Sequence, residues 1–236
     1  MKSIKICRVK MTYFDHFFSN KLPVPCFHEN YGDFFFNWSI ETAKQFMKHL
    51  MTMQPTKFYI TSATEIEAVT SKKELFFKIM TLYNKLGNKK IDKFELMSII
   101  PFIVGSNFDN VFILSLKYFC LENEGKEIIT KGEFGLFLDC FFRAVHCIGD
   151  FNKDDDVYQK TKGNLIKISE KELDDLLDKI FVDDKNSPIE ELELPKLMQK
   201  IPENLMNQLK NINTGFHGTM VYYENKIKEE NKIQQQ

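Results

Sequence analysis

Side chains bearing oxygen recur at short intervals in three stretches, and the chemistry they suggest is capture of a hard cation. Calcium takes six or more oxygens, and a single loop can offer them at positions 1, 3, 5, 7 and 9, closed by a two-oxygen glutamate at position 12. With Glu133 at position 12, Glu122 stands at 1, Glu124 at 3, Lys126 at 5 and Glu127 at 6. With Glu95 at 12, Asn84 stands at 1, Leu86 at 3, Asn88 at 5, Lys89 at 6 and Asp92 at 9. The third stretch places Asp150, Asn152 and Asp154 at 1, 3 and 5 with Val157 at 8, but holds Asp155 at 6 and Thr161 at 12.

Ligand count argues against occupancy in all three. Leu86 removes an oxygen from the first loop, and Lys89 and Lys90 add positive charge where the ion would sit. Lys126 removes an oxygen from the second, and Glu127 replaces the glycine of the sharp turn. The third lacks the closing glutamate and reads as a solvated acidic loop. No metal is therefore expected, and calcium is the one cofactor to test for. If it binds, its ligands come from Glu122, Glu124 and Glu133, or from Asp150, Asn152 and Asp154, with Asn84, Asn88, Asp92 and Glu95 as a vestigial set.

Other chemistry is sparse. Cys26 with His28, and His146 with Cys147, lack the second pair that a zinc site needs. Cys120, Cys140 and Cys147 fall on helices among Phe and Leu residues, as buried thiols do. No nucleophile is spaced with a base, and no phosphate-cradling glycine motif occurs, so no catalysis is expected.

The elements that must hold these loops are helices. Ile40, Ala43, Met47 and Leu50 predict a helix near 39–52, ending before Pro55. Capping boxes at Ser71/Glu74 and Ser169/Glu172 open two more. Further helices run from about Lys93 to Ile103, from Asn107, and from Lys131, the last apolar on nearly every side and hence buried on most faces. A short helix is expected from Glu190 to Gln199, and the tail "NKIKEENKIQQQ" reads as frayed or as a solvated helix.

Helix, loop and helix thus occur twice in register. Ile91 and Ile129 are 38 residues apart, as are Glu95 and Glu133. On these residues, 71–147 resembles an EF-hand pair of the calmodulin-like superfamily with degenerate loops. A third, poorer hand is expected at 169–199, with Ile189 and Glu193 at the matching offsets. The resemblance implies an all-α fold, in which Ile91 and Ile129 join their two loops through a short strand pairing. It also implies an adaptor that binds protein partners without calcium, in a larger cytoskeletal or ciliary assembly. The alternative is a calcium sensor or buffer with one weak live site.

Around the pair (70–148), the chain divides into an irregular, aromatic-rich N-terminal arm and helix (1–69), an acidic linker (149–164) and a C-terminal helical region (165–236). The arm "YFDHFF…DFFFNW" is expected to lie on a neighbour. A net charge of -1 gives no pull toward nucleic acid, and no apolar run is long enough to span a membrane, so a cytoplasmic setting is expected. The helices carry more Phe, Ile and Leu than an isolated pair can bury. That surplus needs the N-terminal segment, the C-terminal region or a partner to cover it.

Overall fold

Helix starts follow capping chemistry. Ser39 Oγ accepts the Thr42 amide at 3.1 Å and opens α1 (Ile40–Thr52), whose apolar face buries Ala43, Phe46, Met47 and Leu50. Asp92 caps α2 (Lys93–Val104), its Oδ1 accepting the amides of Phe94 and Glu95 at 2.8 and 3.4 Å. Asn107 caps α3 (Phe108–Lys117) by accepting the Asn110 amide at 3.2 Å. Four further helices are seen among the described residues: α4 (Lys131–Ile148), α5 (Glu170–Ile180), α6 (Leu194–Lys200) and α7 (Glu203–Gln234). The computed structural model describes residues 26–27, 38–52, 59–60, 91–105, 107–123, 125–150 and 170–234. Of these, 72 % are helical, so the chain is mostly helical with only short strands. The helix expected from Ser71, the box at Ser169 and most of the acidic linker lie outside the described residues.

Helix α2 is the centre of the molecule. Its sequence, KFELMSIIPFIV, is apolar on nearly every side, and every residue from Lys93 to Ile103 is buried. Such a helix must be surrounded. Helices α1, α3, α4 and α7 pack around it. Phe102 of α2 meets Phe141 of α4 with ring centroids 4.5 Å apart and Phe112 of α3 at 6.1 Å. Gly105 ends the helix where space is gone, since a Cβ there would come within 2.0 Å of Val111 Cγ1.

The surplus apolar surface is covered from within the chain. Phe181, directly after α5, meets Phe134 of α4 at 6.2 Å, and Leu173 and Leu177 of α5 are buried in the same core. Leu205, Leu209, Ile212 and Phe216 form the buried stripe of α7. Their spacing of three and four residues is a helix signal, one that the individual helices expected in the C-terminal region, the last ending at Gln199, do not include. Among the described residues only Leu121 and Val221 are large, apolar and exposed.

Among the described residues, three antiparallel ribbons of two short strands tie the loops. Strand β1 (Cys26–Phe27) pairs with β5 (Gly149–Asp150), β2 (Tyr59–Ile60) with β3 (Ile91–Asp92), and β4 (Ile128–Thr130) with β6 (Glu191–Glu193). This corrects two expectations. Ile91 stands opposite Ile60, and Ile129 opposite Leu192, so the loops ending at Glu95 and Glu133 pair with other segments and not with each other. Glu190–Gln199 is not one helix: a strand precedes α6, and Leu192 holds the paired position assigned to Ile189. Within the arm, Cys26–Phe27 pairs with this chain's own Gly149–Asp150 and Trp38 is buried, while the aromatic-rich stretches 13–18 and 33–37 expected on a neighbour lie outside the described residues. The physical reason is shared. A two-residue ladder requires only an extended backbone and an aliphatic side chain, so many offsets in the sequence satisfy it equally.

Candidate functional site

The loop before α4 is the most fully described of the candidates. Lys117 ends α3, the chain turns through Leu121 to Glu127, and β4 leads into α4. Glu127, at the place where a calcium loop prefers glycine, adopts φ +54°, and Gly125 adopts φ +81°. The left-handed turn is thus kept at Glu127 despite its Cβ, a conformation that costs about 1–2 kcal/mol. Two interactions oppose that strain: Lys117 Nζ lies 2.6 Å from Glu127 Oε1, and the Glu127 carbonyl accepts the Leu194 amide at 3.0 Å. The second bond, with Lys131 N–H donating to Glu190 O at 2.8 Å, extends the β4–β6 ladder at both ends.

Glu133 is buried, and its carboxylate is already engaged. Oε2 accepts the Thr130 amide at 2.8 Å, while Thr130 Oγ1 accepts the Glu133 amide at 3.2 Å. This reciprocal pair is a capping box on α4, signalled by Thr130 and Glu133 at the S/T-x-x-E spacing and missed in the sequence reading. Oε1 accepts the Glu122 amide at 2.7 Å, across the full width of the loop. The carboxylate that would close a calcium loop by binding metal instead closes this one by binding backbone. Glu122 therefore enters the site through its amide, and Glu124 lies outside the described residues.

The exit of the preceding loop is neutralised differently. Glu95, only 5 % exposed, faces Arg143 of α4. The Arg143 Nε lies 3.2 Å from Glu95 Oε1, an ion pair off the line that a hydrogen bond needs. Its Nη2 lies 3.2 Å from Asp139 Oδ2, 3.8 Å from Asp92 Oδ2 and 3.6 Å from Cys140 Sγ. Burial works against the Arg143 charge, but Glu95, Cys140, Asp139 and Asp92 outweigh it and hold the guanidinium above its ordinary pKa. Burial raises the Asp92 carboxyl, with Arg143 and the two capped amides pulling the other way. Asn84 and Asn88, the rest of that vestigial set, lie outside the described residues.

The remaining candidates do not assemble. Asp150 has its backbone in strand β5 opposite Cys26, and Asn152 and Asp154 lie outside the described residues. In the last loop, Asp183 Oδ1 accepts the amides of Lys185 and Ser187 at 2.8 and 2.7 Å, and Val182 bridges Pro188. That tight turn, with Asn186 at φ +59°, consumes the acidic residue locally. Four residues beyond the paired Leu192 stands Lys196, where Glu133 stands beyond Ile129. An ammonium in that place offers no oxygen to a cation. Among the described residues no three His, Cys, Asp or Glu side chains are placed to hold a metal.

Cys120 and Cys140 are both buried thiols. Burial, then the nearby Glu133 and Glu127 carboxylates, push the Cys120 thiol up to about 12, and it donates to Leu116 O at 3.4 Å. Burial likewise pushes Cys140 well up. Neither is a nucleophile at neutral pH. Sequence reasoning missed Arg143 altogether. Its signal was a single guanidinium in the apolar run "CFFRAV", in a chain with only two arginines.

Comparison with protein-family models, with curated proteins and with solved structures finds no match to this chain. No helix among the described residues is long and apolar enough to cross a membrane.

Proposed function

We propose that the chain is a non-enzymatic structural or adaptor protein, built on degenerate EF-hand-like units whose form does not depend on calcium. One observation carries the reading: the loop-closing carboxylate of Glu133 is spent on the amides of Thr130 and Glu122. The internal pairing of Asp92 and Glu95 with Arg143 supports it. A cation would have to displace bonds already made, into loops short of oxygens. The strand pairings suit two pairs of units: α1 through β2 with β3 through α2, and α3 through α4 with α5 through α6.

The apolar face that calcium-opened hands offer to a partner helix is covered at α2 by α7 of the same chain, through Leu205, Leu209, Ile212 and Phe216. Partner contact then falls to the outer surface, and the chain acts as a constitutive clamp or spacer. The larger cytoskeletal or ciliary assembly belongs to the proposal through the sequence resemblance alone. The test is affinity purification of the full chain in calcium and in chelator. The same partners in both are expected. Partners that appear only with calcium would overturn the adaptor and favour a sensor.

A further inference from the structure

Arg143 is set apart by both sequence and position. The chain carries 32 basic residues, and all but Arg8 and Arg143 are lysines. At this one described place an arginine stands in the interior, with its side chain 20 % exposed between α2 and α4. Three carboxylates face it from two elements: Asp92 and Glu95 at the start of α2, and Asp139 one turn back on α4. The thiol of Cys140 completes the surroundings. Asp92, Glu95 and Asp139 are all at most 13 % exposed, so their mutual repulsion is poorly screened.

We infer that Arg143 is a built-in counter-ion, which takes the place of an external cation at the exit of the first loop and fixes α2 against α4. The inference deepens the proposed calcium independence and rests on it for its meaning, while the electrostatic claim stands on this cluster alone. A guanidinium suits the task where lysine does not. Its planar fork presents separate N–H groups to several oxygens at once, whereas an ammonium is a point charge. Asp92 Oδ1 is turned to the α2 amides, so only its Oδ2 faces the arginine. The helix cap and the counter-ion thus share one carboxylate, and the loop exit is tied to α4 through it. Removing a buried partner while its counter-charges remain is far more damaging than replacing the whole set.

Thermal melting of the full chain tests this with five proteins: wild type, Arg143→Met, Arg143→Lys, Glu95→Gln with Asp139→Asn, and the three changes combined. Arg143→Met is expected to melt roughly 10 °C below wild type near neutral pH. That deficit should fall by more than half near pH ~4.5, because carboxylates stranded in the interior take up protons readily. Lysine should restore part of the loss. Combining Arg143→Met with the two amide changes should restore most of it, because only Asp92 of the three carboxylates then keeps its charge. An equal deficit at both pH values would show that the side chain only fills space, and would overturn the inference. So would Arg143→Met melting with wild type. If Arg143→Met does not fold, the combined variant decides: a cooperative melt upholds the counter-ion, and failure of the combined variant to fold overturns it. None of these results depends on whether wild type responds to calcium, which separately decides the proposed function.

Discussion

Glu133 makes two bonds that a calcium ligand would have to give up: a helix cap at the Thr130 amide and a loop closure at the Glu122 amide. Its replacement by Gln should therefore destabilise the chain with no metal present. A Gln side chain keeps one oxygen acceptor but turns an NH2 donor toward the other amide. The loss expected is about 1–3 kcal/mol, read from urea unfolding in chelator. Wild-type stability in Glu133→Gln would contradict the assignment. Cys120 gives a second residue-level prediction. Its thiol is held near 12 in the native chain, against an ordinary value of 9.0. As alkali rises, the unfolded state loses its proton first, so this group's contribution is full below about pH 9 and is lost progressively toward pH 12. Site-resolved alkylation should accordingly modify Cys120 and Cys140 only after unfolding. Rapid labelling of the native chain near neutral pH would contradict their burial.

At the scale of elements, the C-terminus of α2 shows how much rests on a residue distant in sequence. Asn213 of α7 is buried and donates through Nδ2 to Phe102 O at 2.9 Å and Gly105 O at 2.8 Å. It supplies donors to carbonyls that a helix end leaves orphaned. Asn213→Leu keeps the bulk but removes both bonds, and should cost about 2–4 kcal/mol in urea unfolding. A near-neutral result would mean that the α7 stripe alone docks the helix. The contrast with what the sequence shows is physical. Asp92 reads in sequence as a ligand position and only the fold shows it as a cap, whereas helices α1 to α4 were legible from the apolar spacing along each run. Asn213 was not, since an Asn in a polar helical stretch looks the same whether it faces water or a carbonyl more than a hundred residues away. The ribbons were half legible. Ile91 and Ile129 were recognisable as paired positions, but their true partners, Ile60 and Leu192, lie among residues that meet the same loose requirement as many others. Arg143 was visible as an anomaly of composition, and only the fold brings Asp92 and Glu95 to it.

The described residues form helices joined by short ribbons and gathered around α2, and the proposed function is that no external ion is needed to set them. The charges at the loop exits are met by backbone amides at Glu133, by a guanidinium at Glu95 and by a lysine in place of a carboxylate at Lys196. Each arrangement suits a frame fixed in one form, and the core that surrounds α2 uses helices from both sides of the acidic linker. Trp38, 8 % exposed and edge-on to Phe46 at 5.4 Å, reports on how α1 sits in that core. The most direct measurement is therefore a calcium titration of the full chain from chelator to about 1 mM, following Trp38 fluorescence and melting temperature together; this range spans the affinities of sensor hands. The account predicts a flat fluorescence signal and a melting temperature unchanged across the titration. A saturable change in either at micromolar calcium would contradict it.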